Sequence, residues 1–317
     1  MGRYILRRIL QSIPVLFGIS LITFLIVNTA PGDPALLYMD RSSNPTQEDI
    51  DRVREELGLD KPLPQRYLEW VGRAMVGDFG TSFKDKRPVI DRISETLPYS
   101  IKLSVISIVF GYVMAILLGI LAAVKANSWV DYIISFFSAL FVSAPVFWVA
   151  LMAILVFSVK LDLLPTSGWS DYGDESLWNV ARHLILPVTI LALRDIAGMS
   201  RYVRSGLLEV LRADYVRTAR SKGLQERVVI FKHALRNSLI PVVTVMGLSL
   251  PALVGGAVLT ETVFGLPGMG RLAVGSIANR DYPMLIAINL LSAVMVVLGN
   301  ILADAAYGWV DPRIRYN

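Results

Sequence analysis

Residues Asp214 to Pro241 read DYVRTARSKGLQERVVIFKHALRNSLIP, a basic stretch set between two apolar ones. From Met199 to Asn237 there are nine Lys or Arg residues (Arg201, Arg204, Arg212, Arg217, Arg220, Lys222, Arg227, Lys232 and Arg236) against Glu209, Asp214 and Glu226. A short loop with that balance between apolar spans belongs on the cytoplasmic side of a membrane. Asp214 is expected to cap a helix from Tyr215 to Lys222, and Gly223 suits the left-handed residue that ends one. Arg220 and Lys222 then stand where a helix C-terminus favours cations. Beyond the glycine, Leu224, Val228, Phe231 and Leu235 recur at helical spacing, which predicts a second helix with one apolar stripe. The whole stretch is a short, angular, basic knuckle.

Periodicity alone leaves three uses for such a knuckle: an amphipathic hairpin on lipid, a solvated loop, or a docking surface for another protein. The segment resembles the EAA loop of bacterial ABC importer permeases, in which Glu-Ala-Ala, three residues, Gly and nine residues precede Ile-x-Leu-Pro. Here Arg217-Thr218-Ala219 occupies the triplet, Gly223 follows after three residues, and His233-Ala234-Leu235-Arg236 stands at the final position. Ala219, Gly223 and Leu235 match literally. The variant DYVRTARSKG is similar to the dipeptide, oligopeptide and nickel branch of that family.

The composition is 54% hydrophobic over 317 residues, which marks a membrane-embedded chain. The net charge of +5 is concentrated in a few segments and forms no nucleic-acid face. Without cysteine there is no disulfide, thiolate metal site or cysteine nucleophile.

Working outward to the N-terminus, Arg3, Arg7 and Arg8 precede an uncharged run from Ile9 to Ala30. At about 1.5 Å per residue that run crosses a hydrocarbon core of about 30 Å. It is longer than a signal-peptide core and has no convincing cleavage site, so an uncleaved first span with its N-terminus inside is expected. Pro31 to Pro98 is polar and proline-rich, and alternation of the flanking spans puts this 68-residue segment outside. Within it, Thr46 and Gly58 predict the start and stop of a helix over Glu48 to Leu57.

Further uncharged runs cover Leu103 to Val124, Tyr132 to Val159, Asn237 to Thr260 and Tyr282 to Ala303. Pro145 should kink the second of these. The apolar run Leu184 to Leu193 is short, so that span is extended to Tyr202 with Arg194 and Asp195 toward its cytoplasmic end. Gly255-Gly256 marks a close helix approach. In the last run Asn289, Ser292, Asn300 and Asp304 fall in a sector about 120° wide, at about 100° per residue. Such a stripe must face a partner helix or a water-filled path. Six spans with both termini cytoplasmic satisfy the charge asymmetry of every short loop.

Enzyme chemistry lacks its parts. His183 and His233 are the only histidines and are expected on opposite sides of the membrane, so they cannot share a metal. Gly265-Leu266-Pro267-Gly268-Met269-Gly270 lacks the Lys-Ser/Thr of a phosphate loop and reads as a proline-glycine turn. No nucleotide site or cofactor is expected in this chain.

The resemblance also takes in PGDP (31–34), LGLDKPLPQRYLEW (57–70), GDFGTSF (77–83), ETVFGLPGMG (261–270), DYPMLIAINLL (281–291) and the tail DPRIRYN. It implies an all-α integral membrane permease of a type I ABC importer with six transmembrane helices. Residues 1–93 would form the N-terminal helix and external segment, and 94–308 the type-1 transmembrane domain. Residues 214–241 would form the coupling loop and 309–317 the tail. It further implies a second, related permease subunit, two cytoplasmic ATPases that bind the ATP, and an external binding protein. In that setting Gly223 sets the knuckle's angle, while Leu224, Val228, Phe231 and Leu235 anchor it to the permease or the ATPase. Arg217, Arg220 and Lys222, next to Thr218 and Ala219, meet acceptors in the ATPase cleft. Peptide is the expected cargo, with nickel chelates, glutathione-like solutes and sugars open. A secondary transporter or channel, or a scaffold, is the alternative.

Overall fold

A computed structural model describes residues 2–29, 35–36, 39, 46–239 and 257–310. The described residues are helical apart from turns and two isolated bridges, Thr81 with Pro88 and Asp171 with Asp174. In chain order the helices are α1 (Gly2–Thr29), α2 (Gln47–Glu56), α3 (Leu63–Met75), α4 (Val89–Val124), α5 (Trp129–Ser143) and α6 (Val146–Ala153). There follow α7 (Leu177–Leu211), α8 (Asp214–Ser221), α9 (Glu226–Val228), α10 (Leu235–Ser238), α11 (Val258–Val263), α12 (Met269–Asn279) and α13 (Tyr282–Val310). The expected run Asn237–Thr260 falls largely on residues 240–256, which lie outside the described residues, as do PGDP and the tail.

Among the described residues three helices are long and apolar enough to cross a membrane: Leu6–Thr29, Val89–Val124 and Tyr282–Ile301. The run expected to kink at Pro145 is instead broken there. Pro145 caps α6, and α5 meets α6 with its π-helical continuation Ile154–Lys160 at 110°. Proline has no amide to donate and disfavours helical backbone in the residue before it, so the first helix stops at Ser143 with Ala144 extended.

The bundle is organised on α4 and α7, which lie side by side and run in the same direction. Ser104, Ser107, Gly111, Ala115, Gly119 and Ala122 form the buried face of α4. A Cβ on Gly119 would sit 2.6 Å from Val203 Cβ and 2.8 Å from the Ser200 carbonyl oxygen. One on Gly111 would sit 3.3 Å from Ala192 Cβ. Small residues at four- and eight-residue intervals let the two backbones approach, which drives packing where both helices are apolar. Helix α7 continues past the expected end at Tyr202 to Leu211. Arg194 and Asp195 consequently stand at its midpoint, not toward an end; Arg194 is exposed and Asp195 half-buried against Gly111. Likewise α4 starts at Val89, ahead of the expected Leu103, and runs through the expected domain boundary at residues 93/94.

At the end of the bundle away from the knuckle, α3 and the turn before α4 pack on α1, α4 and α13. Thr46 caps α2 by accepting from the Asp49 amide while the Asp49 carboxylate accepts from the Thr46 amide, and Gly58 (φ +64°) follows the helix end. Tyr67 OH lies 2.7 Å from Ser20 Oγ on α1, and Phe24, Tyr67 and Trp70 share one apolar cluster with Phe79, Val89, Tyr282 and Met284. Asp281, at the corner before α13, is buried and accepts from Ser82 Oγ and, at 3.0 Å, from the Phe83 amide. The polar segment is thereby pinned to the transmembrane helices.

Candidate functional site

Helix α7 ends at Leu211, and the chain turns through Arg212-Ala213 into α8. The Ala213 carbonyl takes the amides of Val216 (3.0 Å) and Arg217 (3.2 Å). Helix α8 therefore begins one residue earlier than expected: Asp214 is its first helical residue, the N-cap is Ala213, and no side chain caps it. Asp214 still favours the helix N-terminus by charge. At the other end Lys222 is the C-cap and Gly223 holds φ +75°, with its amide donating to the Arg220 carbonyl at 2.9 Å. A Cβ on Gly223 would meet nothing within 4 Å, so it is backbone conformation and not space that calls for glycine here.

Across that glycine the Arg220 guanidinium donates to both carboxylate oxygens of Glu226, at 2.7 and 3.2 Å. The hydrogen bond holds the Glu226 carboxyl below the ordinary carboxylate range and raises Arg220 in turn. Both groups face solvent, so the pair sets direction more than it adds stability.

The second half of the knuckle departs from the expected single α-helix. One turn of α9 gives way to a π-helical stretch, Val229–Ala234, before α10 resumes. The wider turn changes which residues share a face. Val229 and Ala234 turn inward and join Val216 and Ala219 against Leu207 of α7 and Ala123 of α4. The stripe read at α-helical spacing does not anchor the knuckle inside this chain: Leu224 is 40% exposed, Val228 37% and Phe231 59%, while Leu235 is half-buried. Arg217, Thr218 and Lys222 are exposed on the same element, and Ala219 alone of that set is buried. The knuckle thus has an apolar seat on the bundle and a free face that mixes cations with large apolar side chains.

Just inside this seat, Arg204 of α7 donates through Nε to Asp131 Oδ1 at 2.6 Å and through a terminal nitrogen to Oδ2 at 2.7 Å. The Asn127 amide also donates to Oδ2, at 2.9 Å. Asp131 is buried at the start of α5, so this bidentate pair ties the helix above the knuckle to the neighbouring broken span. Sequence reasoning counted Arg204 among the basic residues and did not single out Asp131. The available signal was an acid in the first turn of an apolar run.

Glu261 was missed as well. Its carboxylate is fully buried and accepts from Ser100 Oγ (2.7 Å) and from the amides of Gly270 (2.7 Å) and Arg271 (3.2 Å). The glycine-rich turn, with Gly265 at φ +62°, is therefore occupied by the chain's own carboxylate at the N-terminus of α12. A Cβ on Gly268 would come within 2.5 Å of three Glu261 side-chain atoms.

Of the stripe on α13, Asn289 and Asn300 are exposed and Ser292 is half-buried; the Asp304 side chain lies outside the described residues. The Asn289 amide donates to the Leu285 carbonyl at 3.0 Å, within its own helix. His183 is buried, its Nδ1 2.9 Å from the Asn179 carbonyl, and the His233 side chain is not among those described. Among the described residues no group of three or more His, Asp or Glu side chains is placed to hold a metal ion.

Comparison with known proteins places two families on this chain. Residues 115–316 match "Binding-protein-dependent transport system inner membrane component", and residues 1–104 match its N-terminal companion. The chain is 44% identical over 318 residues to the oligopeptide transport system permease protein AppB of Bacillus subtilis, covering all of both chains. It is 38% identical to the dipeptide transport system permease protein DppB of Alkalihalophilus pseudofirmus, covering 99% of each. Among solved structures it is similar to an amino acid ABC transporter described with histidines, with a TM-score of 0.51 and 17% identity. That match spans 68% of this chain and 92% of the other, and at that identity it speaks for the fold alone.

Proposed function

Because this chain belongs to the family of binding-protein-dependent transport system inner membrane components, as a peptide-type ABC importer permease, we propose that it carries di- or oligopeptides across the cell membrane by alternating access driven from separate ATPase subunits. In this reading six spans cross the membrane with both termini cytoplasmic. The 68-residue segment between the first two spans lies outside, where a binding protein delivers cargo. A second, related permease completes the path, and ATP is bound by two cytoplasmic partners.

The observation that carries the reading is the knuckle's free face. Leu224, Val228 and Phe231 remain exposed although an apolar seat is within reach, and Arg217, Thr218, Arg220 and Lys222 stand beside them. A mixed face of this kind, on a basic loop between spans, suits a cleft in a protein partner better than water. When the ATPases close, a knuckle seated in one of them moves as a unit, because Gly223 and the Arg220–Glu226 pair hold its angle. The displacement passes to α7 through Leu207 and to α5 through Arg204 and Asp131. Asn289, Ser292, Asn300 and Asp304 would face the second permease or the path.

Copurification tests this reading. Expressed with its partner permease and ATPases, the chain should retain the ATPases in stoichiometric amount and support ATP-dependent peptide uptake in vesicles. Phe231→Asp should release the ATPases while the chain still inserts. Uptake that needs no ATPase would instead favour a secondary transporter or channel.

A further inference from the structure

Where α3 packs on the bundle, a cavity of about 420 Å³ opens between the C-terminal end of α1, the start of α13 and the α2–α3 turn. Phe24, Trp70, Phe79, Phe83 and Tyr282 contribute aromatic rings to its walls. Two donors in these walls are unmatched: Trp70 Nε1 and the Tyr282 hydroxyl are buried and have no hydrogen-bond partner among the described residues. A buried donor without an acceptor costs free energy unless an occupant supplies one.

The charges around the cavity point the same way. Arg66 uses one terminal nitrogen to reach Asn28 Oδ1 at 2.5 Å, and no carboxylate bonds it among the described residues. Burial lowers the proton affinity of the guanidinium, and the charge of the nearby Asp60 offsets part of that effect. Arg73 also lines the cavity. Of the two acids present, Glu69 is held by Lys61 Nζ at 2.9 Å on each oxygen, and Glu56 stands at the exposed rim. The inner wall thus offers two buried donors and the remaining N–H groups of the Arg66 guanidinium to an oxyanion, while the rim offers a carboxylate.

The level of the cavity selects the source of that oxyanion. It lies where two apolar spans, Leu6–Thr29 and Tyr282–Ile301, reach their ends, and α1 keeps Phe17, Ile22 and Ile26 exposed along its outer surface. A group at that height beside an uncovered apolar helix is at the headgroup layer of the bilayer. We infer that this cavity holds the phosphate of a membrane phospholipid, whose oxygens accept from Arg66, Trp70 Nε1 and the Tyr282 hydroxyl, with the acyl chains lying along α1. This site is separate from the knuckle and does not depend on the transport reading. Its occupant would fill the gap between the polar segment and the first span, fastening one to the other.

Native mass spectrometry of the delipidated full-length chain in detergent, titrated with phosphatidylglycerol, tests the assignment. One lipid per chain should be retained at low activation, and neither diacylglycerol nor millimolar inorganic phosphate or dialanine should replace it. Arg66→Gln and Tyr282→Phe should each cut the retained fraction at least about fivefold, the range a lost charge-assisted or buried hydrogen bond commands. Tyr282→Phe removes only a hydroxyl that has no partner among the described residues, so its unfolding temperature in lipid-free detergent should not fall. Equal retention by both variants and the parent chain would overturn the proposal. So would retention of diacylglycerol as strong as that of the phospholipid, or displacement of the lipid by phosphate or dialanine, which would mark a site for free anions.

Discussion

Asp131 and Arg204, 73 residues apart in sequence, meet in a bidentate pair with contacts of 2.6 and 2.7 Å at the place where the knuckle's supporting helix passes the broken span. Removing one partner leaves the other charge short of compensation in a mostly buried setting. Arg204→Ala should lower stability by about 2–3 kcal/mol, less than the loss of a fully enclosed pair because Arg204 keeps some exposure. Thermal unfolding in detergent reads this directly, and Asp131→Leu combined with Arg204→Met should recover much of the loss.

Gly119 is fixed by contact. Gly119→Ala forces the α4 and α7 backbones apart, since the new methyl would meet Val203 Cβ at 2.6 Å. The expected cost is about 1–3 kcal/mol of overpacking. Gly198→Ala on α7 is the matching control: its Cβ meets nothing within 4 Å, and helix propensity alone should leave it neutral or slightly stabilised. Equal unfolding temperatures for the two variants would contradict the packing account.

Glu261 closes the glycine-rich turn from inside. Glu261→Ala strands the Ser100 hydroxyl and the amides of Gly270 and Arg271 together, and should cost about 3 kcal/mol. Hydrogen exchange across residues 265–275 should accelerate in the variant and stay slow in the parent chain.

The Arg220–Glu226 pair makes the knuckle sensitive to acid. The folded-state value of Glu226 is depressed from about 4.5. Its contribution is accordingly full above that value and is lost as pH falls through the lower, folded one. Exchange at residues 222–228 should therefore be flat from neutral pH down to about pH 4.5 and faster below it, after correction for intrinsic rates. Glu226→Gln should start at the faster level and show no such step.

The parts read well from sequence are those set by neighbours in the chain. Thr46 and Gly58 mark the ends of α2 through contacts at most a few residues long, and Gly223 is demanded by one backbone angle. What escaped depends on distant partners: Asp131 acquires meaning only beside Arg204, and Glu261 only beside Ser100, 161 residues away. The apolar stripe Leu224, Val228, Phe231 and Leu235 was placed at α-helical pitch, and the π turn at Val229–Ala234 gave the inward face to Val229 and Ala234 instead. Arg194 and Asp195 misled in the other direction. The charges suggest a helix ending near Tyr202 with both toward that end, whereas α7 runs on to Leu211 and leaves them at its midpoint, where Asp195 packs against Gly111.

The central claim is that the knuckle passes motion from a separate motor, and Gly223 tests it most directly. Gly223→Val places a β-branched residue at φ +75°, a conformation such residues avoid at a cost of about 1–3 kcal/mol, without meeting any neighbouring atom. In proteoliposomes containing the complete importer, peptide accumulated per ATP hydrolysed should fall at least about tenfold in this variant while its membrane insertion is unchanged, the scale of a 1.4 kcal/mol change. An unaltered ratio of transport to hydrolysis would contradict the account.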